Sequence, residues 1–278
     1  MPDLLLGTAK FAWTTPKSTA FALLDAFYAA GFREVDTATN YPINKNPEDF
    51  RKAEEILTEW ITAHGVKDLK ITAKVGSVDN MRSPEHLLNK SFLLMCLDEY
   101  QRLFGPNLDT FMVHWDNRVR IDEIRDTLHA LAFAREQGLR PGLSGIAHPE
   151  LYAMANEDLG LDFRIQFNHN LLESKYEHYK PFHGAKRFIA YGINAGGAKL
   201  GQDARLDFLK PILETANSDH NRPAIEHLYQ IGLIYAYHHP DMEGILIGPS
   251  SVQQLKENLE FYRTLQTEDF SDVFVNGL

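Results

Sequence analysis

Two kinds of hydrophobic pattern alternate along the chain. Short apolar runs bounded by glycine, proline or polar residues predict eight buried strands, at residues 4–8, 33–37, 69–75, 109–114, 142–146, 163–168, 187–191 and 244–247. Between them, apolar residues recur every three or four positions, which predicts helices at 18–30, 46–65, 83–104, 121–137, 223–238 and 251–262, and another that starts at Pro149. Segment 173–186 leaves room only for a short sixth helix.

The alternation of strand and helix continues without a linker, a repeat or a low-complexity tract. Such alternation indicates a parallel sheet, and eight units in one unbroken chain favour closure into a (β/α)8 TIM barrel over an open sheet. We therefore predict a single α/β barrel domain over residues 1–278, with a long loop after strand seven at about 195–221. Loops of that length are often lids or binding loops.

Composition and charge narrow the range of partners. The formal charge of −10 argues against general binding to nucleic acid or to an anionic membrane surface. A single cysteine, Cys96, excludes an intramolecular disulfide framework and fits a reducing compartment. The first residues do not resemble a signal peptide, and no apolar run approaches the roughly 20 residues that span a bilayer. We expect a cytoplasmic protein that acts on a small molecule, as a monomer or a weak homo-oligomer.

Four polar residues follow or end three consecutive predicted strands. Asp36 closes the second strand and Tyr41 follows on its loop, Lys74 lies near the end of the third strand, and His114 ends the fourth. Each has an ordinary structural explanation when taken alone, such as a capped turn, a surface aromatic, a lysine reaching solvent or a core histidine. Taken together, they lie at the edge where parallel barrels build their active sites, so their side chains are expected to converge.

Together these side chains suit one kind of chemistry. A tyrosine with a pKa of about 10 is a poor acid at neutral pH, but a neighbouring lysine ammonium lowers that pKa. Asp36 is expected to hold Lys74 charged, while His114 orients and polarises a carbonyl oxygen against the Tyr41 hydroxyl. Such a site protonates an oxygen while a hydride reaches the carbon, and the hydride has to come from a cofactor.

Seven segments in order make the chain resemble the aldo-keto reductase family over nearly its whole length: FREVDTATNY, ITAKVG, LDTFMVHW, GLSGI, QFNHNLLES, FIAYG and ILIGPSSVQQLKENL. The resemblance implies a (β/α)8 barrel that binds a nicotinamide cofactor without a Rossmann domain. The chain indeed has no G-x-G-x-x-G motif after a strand. The resemblance also implies a catalytic tetrad of Asp36, Tyr41 as general acid, Lys74 and His114.

The same resemblance implies the cofactor-binding positions. Ser144 and Gln166 match residues that bind the nicotinamide carboxamide, and Tyr191 matches the aromatic that stacks on the nicotinamide ring. The segment at the adenosine end contributes Gly248, Ser250, Ser251, Gln254, Glu257 and Asn258. Ser251 and Gln254 also fit a helix capping box, and the two interpretations are compatible. Gly248 and Gln254 stand where many members carry a cation for the 2′-phosphate, so we expect weaker discrimination against NADH than in typical members. We expect NADPH as cofactor, with NADH possible.

Two departures from the family pattern affect the predicted site. Gly145 follows Ser144 where many members have asparagine, and Gly192-Ile193-Asn194 replaces a usual Ser-Pro-Leu after Tyr191. For the substrate pocket, we expect Trp13 and Trp115 to flank the site. Phe270 and Phe274 of the C-terminal segment are candidates to close one side of it. Such an aromatic rim suits an apolar or mixed carbonyl substrate.

The sequence therefore favours an NAD(P)H-dependent reductase of aldehydes or ketones, or an enzyme that runs the reverse oxidation of alcohols. A non-catalytic nicotinamide-binding sensor or regulatory subunit, as some members of the family are, remains the alternative. A metal-dependent barrel hydrolase is a weaker third interpretation, because no predicted strand ends in paired histidines. His238 and His239 stand at a helix end, where interaction with the helix dipole is the simpler explanation.

Overall fold

Eight parallel strands close into one barrel in the computed structural model, which describes residues 1–83, 85–198, 200–218 and 222–275. Each strand pairs with the next, and the last pairs with the first. The strands are β1 (Asp3–Gly7), β2 (Glu34–Ala38), β3 (Lys70–Val75), β4 (Leu108–Asp116), β5 (Arg140–Ile146), β6 (Arg164–Asn168), β7 (Phe188–Tyr191) and β8 (Met242–Ile247). The predicted (β/α)8 TIM barrel is confirmed.

Helices pack around the barrel between the strands. The α-helices are α1 (Lys17–Ala29), α2 (Lys52–His64), α3 (Lys90–Phe104), α4 (Ile121–Glu136), α5 (Pro149–Ala155), α6 (Leu209–Ala216), α7 (Leu228–Tyr237), α8 (Val252–Leu265) and α9 (Asp272–Val275). Short 3-10 helices lie at Pro47–Asp49, Gly105–Asn107, Glu177–Phe182, Ala195–Gly197 and Ala204–Leu206. Within the described ranges, no helix is both long and apolar enough to cross a membrane.

Three helices begin later than their sequence signals predict. The signal at residue 46 gives a 3-10 helix at Pro47–Asp49, and α2 begins only at Lys52. The signal at Ser83 is wrong for α3, which begins at Lys90 with Asn89 as its cap; Pro84 itself lies outside the described residues. Tertiary contacts override the local signal, because the Leu87 amide donates to the Gly76 carbonyl at 2.7 Å and His86 forms an isolated antiparallel bridge with Ser77. Helix α7 begins at Leu228, after a capping box between His227 and Gln230.

Two segments depart from regular helix–strand alternation. The short sixth helix predicted in 173–186 is the 3-10 helix Glu177–Phe182, whose Tyr179 and Phe182 are buried. The segment predicted as a long loop, 195–221, contains two 3-10 turns and α6. Residues 199 and 219–221 of that segment lie outside the described part of the chain.

Polar side chains fill two layers inside the barrel. In the lower layer, Arg164 on β6 reaches Glu34 on β2 at 2.9 Å, Thr110 on β4 at 3.2 Å and Glu243 on β8 at 3.1 Å. A side chain that contacts three other strands in this way has to lie within the barrel. The upper layer stands two residues further along the same strands, at Asp36 and Gln166, because side chains on a strand return to the same face every second residue.

Candidate active site

The centre of the site is a buried ion pair between β2 and β3. The Lys74 ammonium contacts the Asp36 carboxylate, and their side chains are 1% and 0% exposed. Burial is the largest single effect and opposes the charge on Lys74, but the interactions with Asp36 and Tyr41 together outweigh it, so the pKa of the Lys74 ammonium is raised above its ordinary value. Lysine therefore stays protonated inside the barrel at neutral pH.

Gln166 completes this pair from the opposite side of the barrel. Its amide Nε2 donates to Asp36 at 2.5 Å, and its Oε1 accepts from Lys74 at 3.1 Å. The resemblance implies that Gln166 binds the nicotinamide carboxamide. Its contacts with Asp36 and Lys74 were not indicated by the sequence. The Gln166 amide forms hydrogen bonds with both partners of the ion pair. A buried ion pair requires such additional hydrogen bonds.

Tyr41 stands over this ion pair. The Lys74 ammonium lies 4.9 Å from the centre of the Tyr41 ring, and the phenol itself is buried. Burial raises the pKa of Tyr41, and the opposing charge of Lys74 reduces that rise without reversing it. The expectation that Lys74 brings the pKa below its ordinary value is therefore wrong for the net shift, because desolvation of the phenolate is the larger effect. The phenol carries its proton at neutral pH.

His114 lies edge-on to Tyr41. The two ring centres are 6.0 Å apart at an interplanar angle of 89°. Burial holds the pKa of His114 well below its usual range, and the charge on Lys74 lowers it further. The imidazole is therefore neutral and able to donate one N–H. Its Nδ1 has no hydrogen-bond partner among the described residues.

Strand register sets a row of polar side chains beside the four. His114 on β4 is the partner of Ser144 on β5, which in turn is the partner of Gln166 on β6. Tyr191 ends β7 opposite Asn168. The residues matched to nicotinamide contacts thus occupy consecutive strands at the edge where Tyr41 and Lys74 also lie.

These residues face a cavity of about 500 Å³ at the C-terminal edge of the barrel. Of the residues singled out from the sequence, those lining it are Tyr41, Lys74, His114, Trp115, Ser144, Gln166, Tyr191 and Gly248. The glycine-rich loop after β7 lines it as well, with Gly192, Gly196 and Gly197. The cavity thus extends from β5 and β6 across β7 to β8 and β1.

Lys10 is a cavity-lining residue that the sequence analysis did not single out. It stands three residues after β1, at the same edge of the barrel as the other strand-end residues. A lysine just past the end of a barrel strand was a sequence signal that could have pointed to it.

Several predicted residues lie away from the cavity wall. Asp36 is fully buried beneath it and acts through Lys74. Trp13 is 48% exposed in the loop after β1 and does not line the cavity. Phe270 packs against Phe261, and Phe274 packs against Tyr235, so neither closes the substrate side as expected. Those two aromatics cover the outer helices.

The segment predicted for the adenosine end builds the start of α8. Ser251 Oγ accepts from the backbone N–H of Gln254 at 3.2 Å, and the side-chain Oε1 of Gln254 accepts from the backbone N–H of Ser250 at 2.8 Å. These contacts form the capping arrangement expected from the sequence. Glu257 accepts from Gln253 at 2.8 Å, and Asn258 is buried. None of these residues lines the cavity, although Gly248 does and Ser250 Oγ lies 3.5 Å from Lys10.

Steric contacts explain why glycine stands at both positions that depart from the family pattern. Gly145 has a φ of +67°, and a Cβ on it would stand 2.5 Å from Cδ1 of Trp115. The missing side chain thus makes room for the indole that lines the cavity. At Gly192, with a φ of +70°, a Cβ would stand 2.4 Å from Oδ1 of Asn168. Glycine at 192 therefore lets the loop after β7 lie close to β6.

A metal interpretation finds no support in the described ranges, where no group of three or more histidine, cysteine, aspartate or glutamate side chains is arranged to hold a metal ion. Burial lowers the pKa of His238 at the end of α7, so its imidazole is neutral there. A favourable charge interaction with the helix dipole, expected from the sequence, is thus not its role.

Comparisons with known proteins agree with the fold. The sequence pattern of the Aldo/keto reductase family matches residues 3–274. Norsolorinic acid reductase of Emericella nidulans is 30% identical over 204 residues, which are 68% of this chain and 45% of the reductase. Protein tas of Escherichia coli is 23% identical, with 95% of this chain and 90% of that protein covered.

A third relative, the NADP(+) aryl-alcohol dehydrogenase of Phanerodontia chrysosporium, is 32% identical over 42% of this chain and 32% of its own length. The chain thus spans less than half the length of two of these relatives and nearly all of protein tas. The match over residues 3–274, together with the closed barrel, shows that the chain belongs to the aldo/keto reductase family.

Proposed function

We propose that this protein is an NAD(P)H-dependent oxidoreductase that reduces an aldehyde or ketone, or oxidises the matching alcohol, with Tyr41 as general acid. The observation that carries the proposal is the buried Asp36–Lys74–Gln166 assembly, which presents one ammonium to a protonated phenol at the wall of a cavity. An isolated buried ion pair adds little to stability, so its placement at this wall favours a chemical role.

The cavity residues fit a nicotinamide dinucleotide. Ser144, Gln166 and Tyr191 would hold the nicotinamide end, and the glycines after β7 leave room for close approach of backbone to phosphate. Ser250, Ser251, Gln254, Glu257 and Asn258 would contribute toward the adenosine end, beside Gly248. When bound, the cofactor supplies the hydride that no side chain can deliver.

The chain's own residues then handle the substrate oxygen. The neutral His114 donates an N–H to the carbonyl oxygen and holds it against the Tyr41 hydroxyl. Tyr41 releases its proton to that oxygen, and Lys74 stabilises the phenolate that remains. Asp36 and Gln166 keep the ammonium fixed during this transfer. In the oxidation direction, the phenolate takes the alcohol proton and the same contacts operate in reverse.

An aromatic carbonyl or alcohol is the substrate class that we favour. Trp115 lies at the cavity wall beside His114, with ring centres 4.6 Å apart, and gives an apolar surface for a planar ring. One relative carries a name that fits this choice, aryl-alcohol dehydrogenase.

Substitution of Tyr41 by phenylalanine tests the proposal. Tyr41→Phe keeps the ring and removes the proton, so kcat for aromatic aldehydes with NADPH should fall about 10²- to 10⁴-fold. Cofactor affinity should stay within about twofold, because a hydroxyl that acts on substrate adds little to cofactor binding.

Tyr28→Phe is the matched control, because it deletes a hydroxyl that bonds Asp68 on the outer surface. Equal turnover in wild type and Tyr41→Phe would reject the assigned acid. Tight cofactor binding by wild type without turnover of any carbonyl would instead favour the sensor interpretation.

A further inference from the structure

We propose that Lys10 recognises the ribose 2′-phosphate of NADPH and gives this protein its preference for NADPH over NADH. The inference rests on the proposed function and adds the residue that distinguishes the two cofactors. Lys10 lies in the loop after β1, and its side chain extends to residues that follow β8, the strand that pairs with β1 to close the barrel. The Lys10 ammonium lies 3.4 Å from the Gly248 carbonyl and 3.5 Å from Ser250 Oγ, both beyond the end of β8.

Lys10 is a cavity-lining lysine whose charge is not paired with a carboxylate. Among the described residues, two lysines line the cavity, and the charge of Lys74 is neutralised by Asp36 in the barrel interior. The contacts that Lys10 makes in the described part of the chain are with neutral oxygens, and its side chain is exposed. An exposed ammonium with only neutral partners is available to a phosphate.

The β8 segment itself has little to offer a phosphate. Ser251 and Gln254 are occupied in capping α8, through the contacts with the Gln254 and Ser250 amides. Lys256, in the second turn of α8, does not line the cavity. The cation that the family commonly supplies from this segment is therefore replaced, in our proposal, by one from the far end of the chain.

The order of elements around the cavity favours the 2′-phosphate over the pyrophosphate. Ser144 and Gln166, proposed for the nicotinamide, stand on β5 and β6, and the glycine-rich loop follows β7. Lys10 and Gly248 stand at β1 and β8, which lie across the ring from β5. A dinucleotide that extends from β5 past the glycines reaches its adenosine end where Lys10 meets Ser250. This reverses the expectation, drawn from the β8 segment alone, of weak discrimination against NADH.

Substitution of Lys10 by methionine tests the assignment through binding alone. The probes are NADPH, NADH, adenosine 2′,5′-bisphosphate and ADP, with Kd measured by calorimetry on the full chain. Loss of one charge-assisted contact should weaken NADPH and the 2′,5′-bisphosphate about 10- to 100-fold, while NADH and ADP change less than about threefold. Lys10→Arg should retain most of the NADPH affinity, because the guanidinium also binds phosphate.

Lys67→Met is the matched control, since it removes the same charge before β3, at the opposite end of the barrel. Equal weakening of NADPH and NADH in Lys10→Met would overturn the assignment and place the lysine at the pyrophosphate. Unchanged affinity for all four probes would overturn it entirely. Wild type that binds neither cofactor would overturn the proposed function, and the inference with it, whereas wild type that binds both with equal affinity would overturn the inference alone.

Discussion

Replacement of Lys74 by methionine would strand the Asp36 carboxylate inside the barrel. The pair is fully enclosed, and besides Lys74 the Gln166 side-chain amide donates to Asp36, at 2.5 Å. One amide donor cannot replace an ammonium as the partner of a buried anion. Removal of one partner of a buried pair typically costs about 3–5 kcal/mol, so Lys74→Met should lower the free energy of unfolding by that amount.

A second substitution separates stability from chemistry. Asp36→Asn in the Lys74→Met background removes the stranded charge and leaves an amide in its place. Asparagine offers Gln166 a hydrogen-bond partner of similar shape, so the double variant should recover about 2 kcal/mol or more of the loss. Activity should not return, because Tyr41 still lacks the ammonium that stabilises its phenolate.

Urea unfolding followed by circular dichroism, together with turnover of an aromatic aldehyde, measures both quantities on the same samples. We expect kcat to fall about 10²-fold or more in Lys74→Met and to stay low in the double variant. A double variant no more stable than Lys74→Met would show that the stranded carboxylate does not cause the loss of stability. Turnover that recovers along with stability would refute the chemical part, because it would show that the ammonium only supports the fold.

Two further predictions follow from buried groups near the cavity. Burial lowers the pKa of His169 to about 3, below the ordinary 6.5, so its contribution to stability is complete above pH 6.5 and is lost as the pH falls from 6.5 toward 3, by up to about 1.4 kcal/mol per pH unit. His169→Gln should flatten that acid dependence in urea unfolding, and an unchanged slope would contradict the assignment. Gly145→Ala should cost about 1–3 kcal/mol, because the new methyl meets Trp115 at a positive φ. Adding Trp115→Ala should recover part of that loss, and a loss that is identical in both backgrounds would show that backbone strain alone causes it.

The strands and the shared edge of Asp36, Tyr41, Lys74 and His114 could be predicted because their signals are local. Each of the three apolar runs that carry these residues has one of them at or near its end, and parallel strands place those ends at one edge. The start of α3 could not be predicted because the helix signal at Ser83 competes with a non-local contact. Leu88 packs against Gly76, and a Cβ on residue 76 would stand 2.4 Å from Leu88 Cδ2. No local window contains that contact.

The contact of Gln166 with Asp36 and the position of Lys10 could not be predicted from the sequence, for a related reason. The amide of Gln166 meets Asp36 across the barrel interior, and residues 130 apart in sequence give no sign of this contact. Lys10 meets Ser250 only because β8 pairs with β1, which brings residues 240 apart together. The family pattern places a cation for the adenosine end in the segment after β8. Closure of the barrel makes the loop after β1 a neighbour of that segment.

The lower layer of the barrel has a consequence for redesign. Arg164 and Glu34 lie one pleat beneath Gln166 and Asp36, so the reacting groups rest on charged side chains rather than on aliphatic packing. Because Arg164 also contacts Glu243, a stabilising exchange of this layer for hydrocarbon has to replace all three side chains together. Because β2 and β6 carry both layers, any slip of either strand by two residues would bring a carboxylate or a guanidinium of the wrong length beneath the phenol.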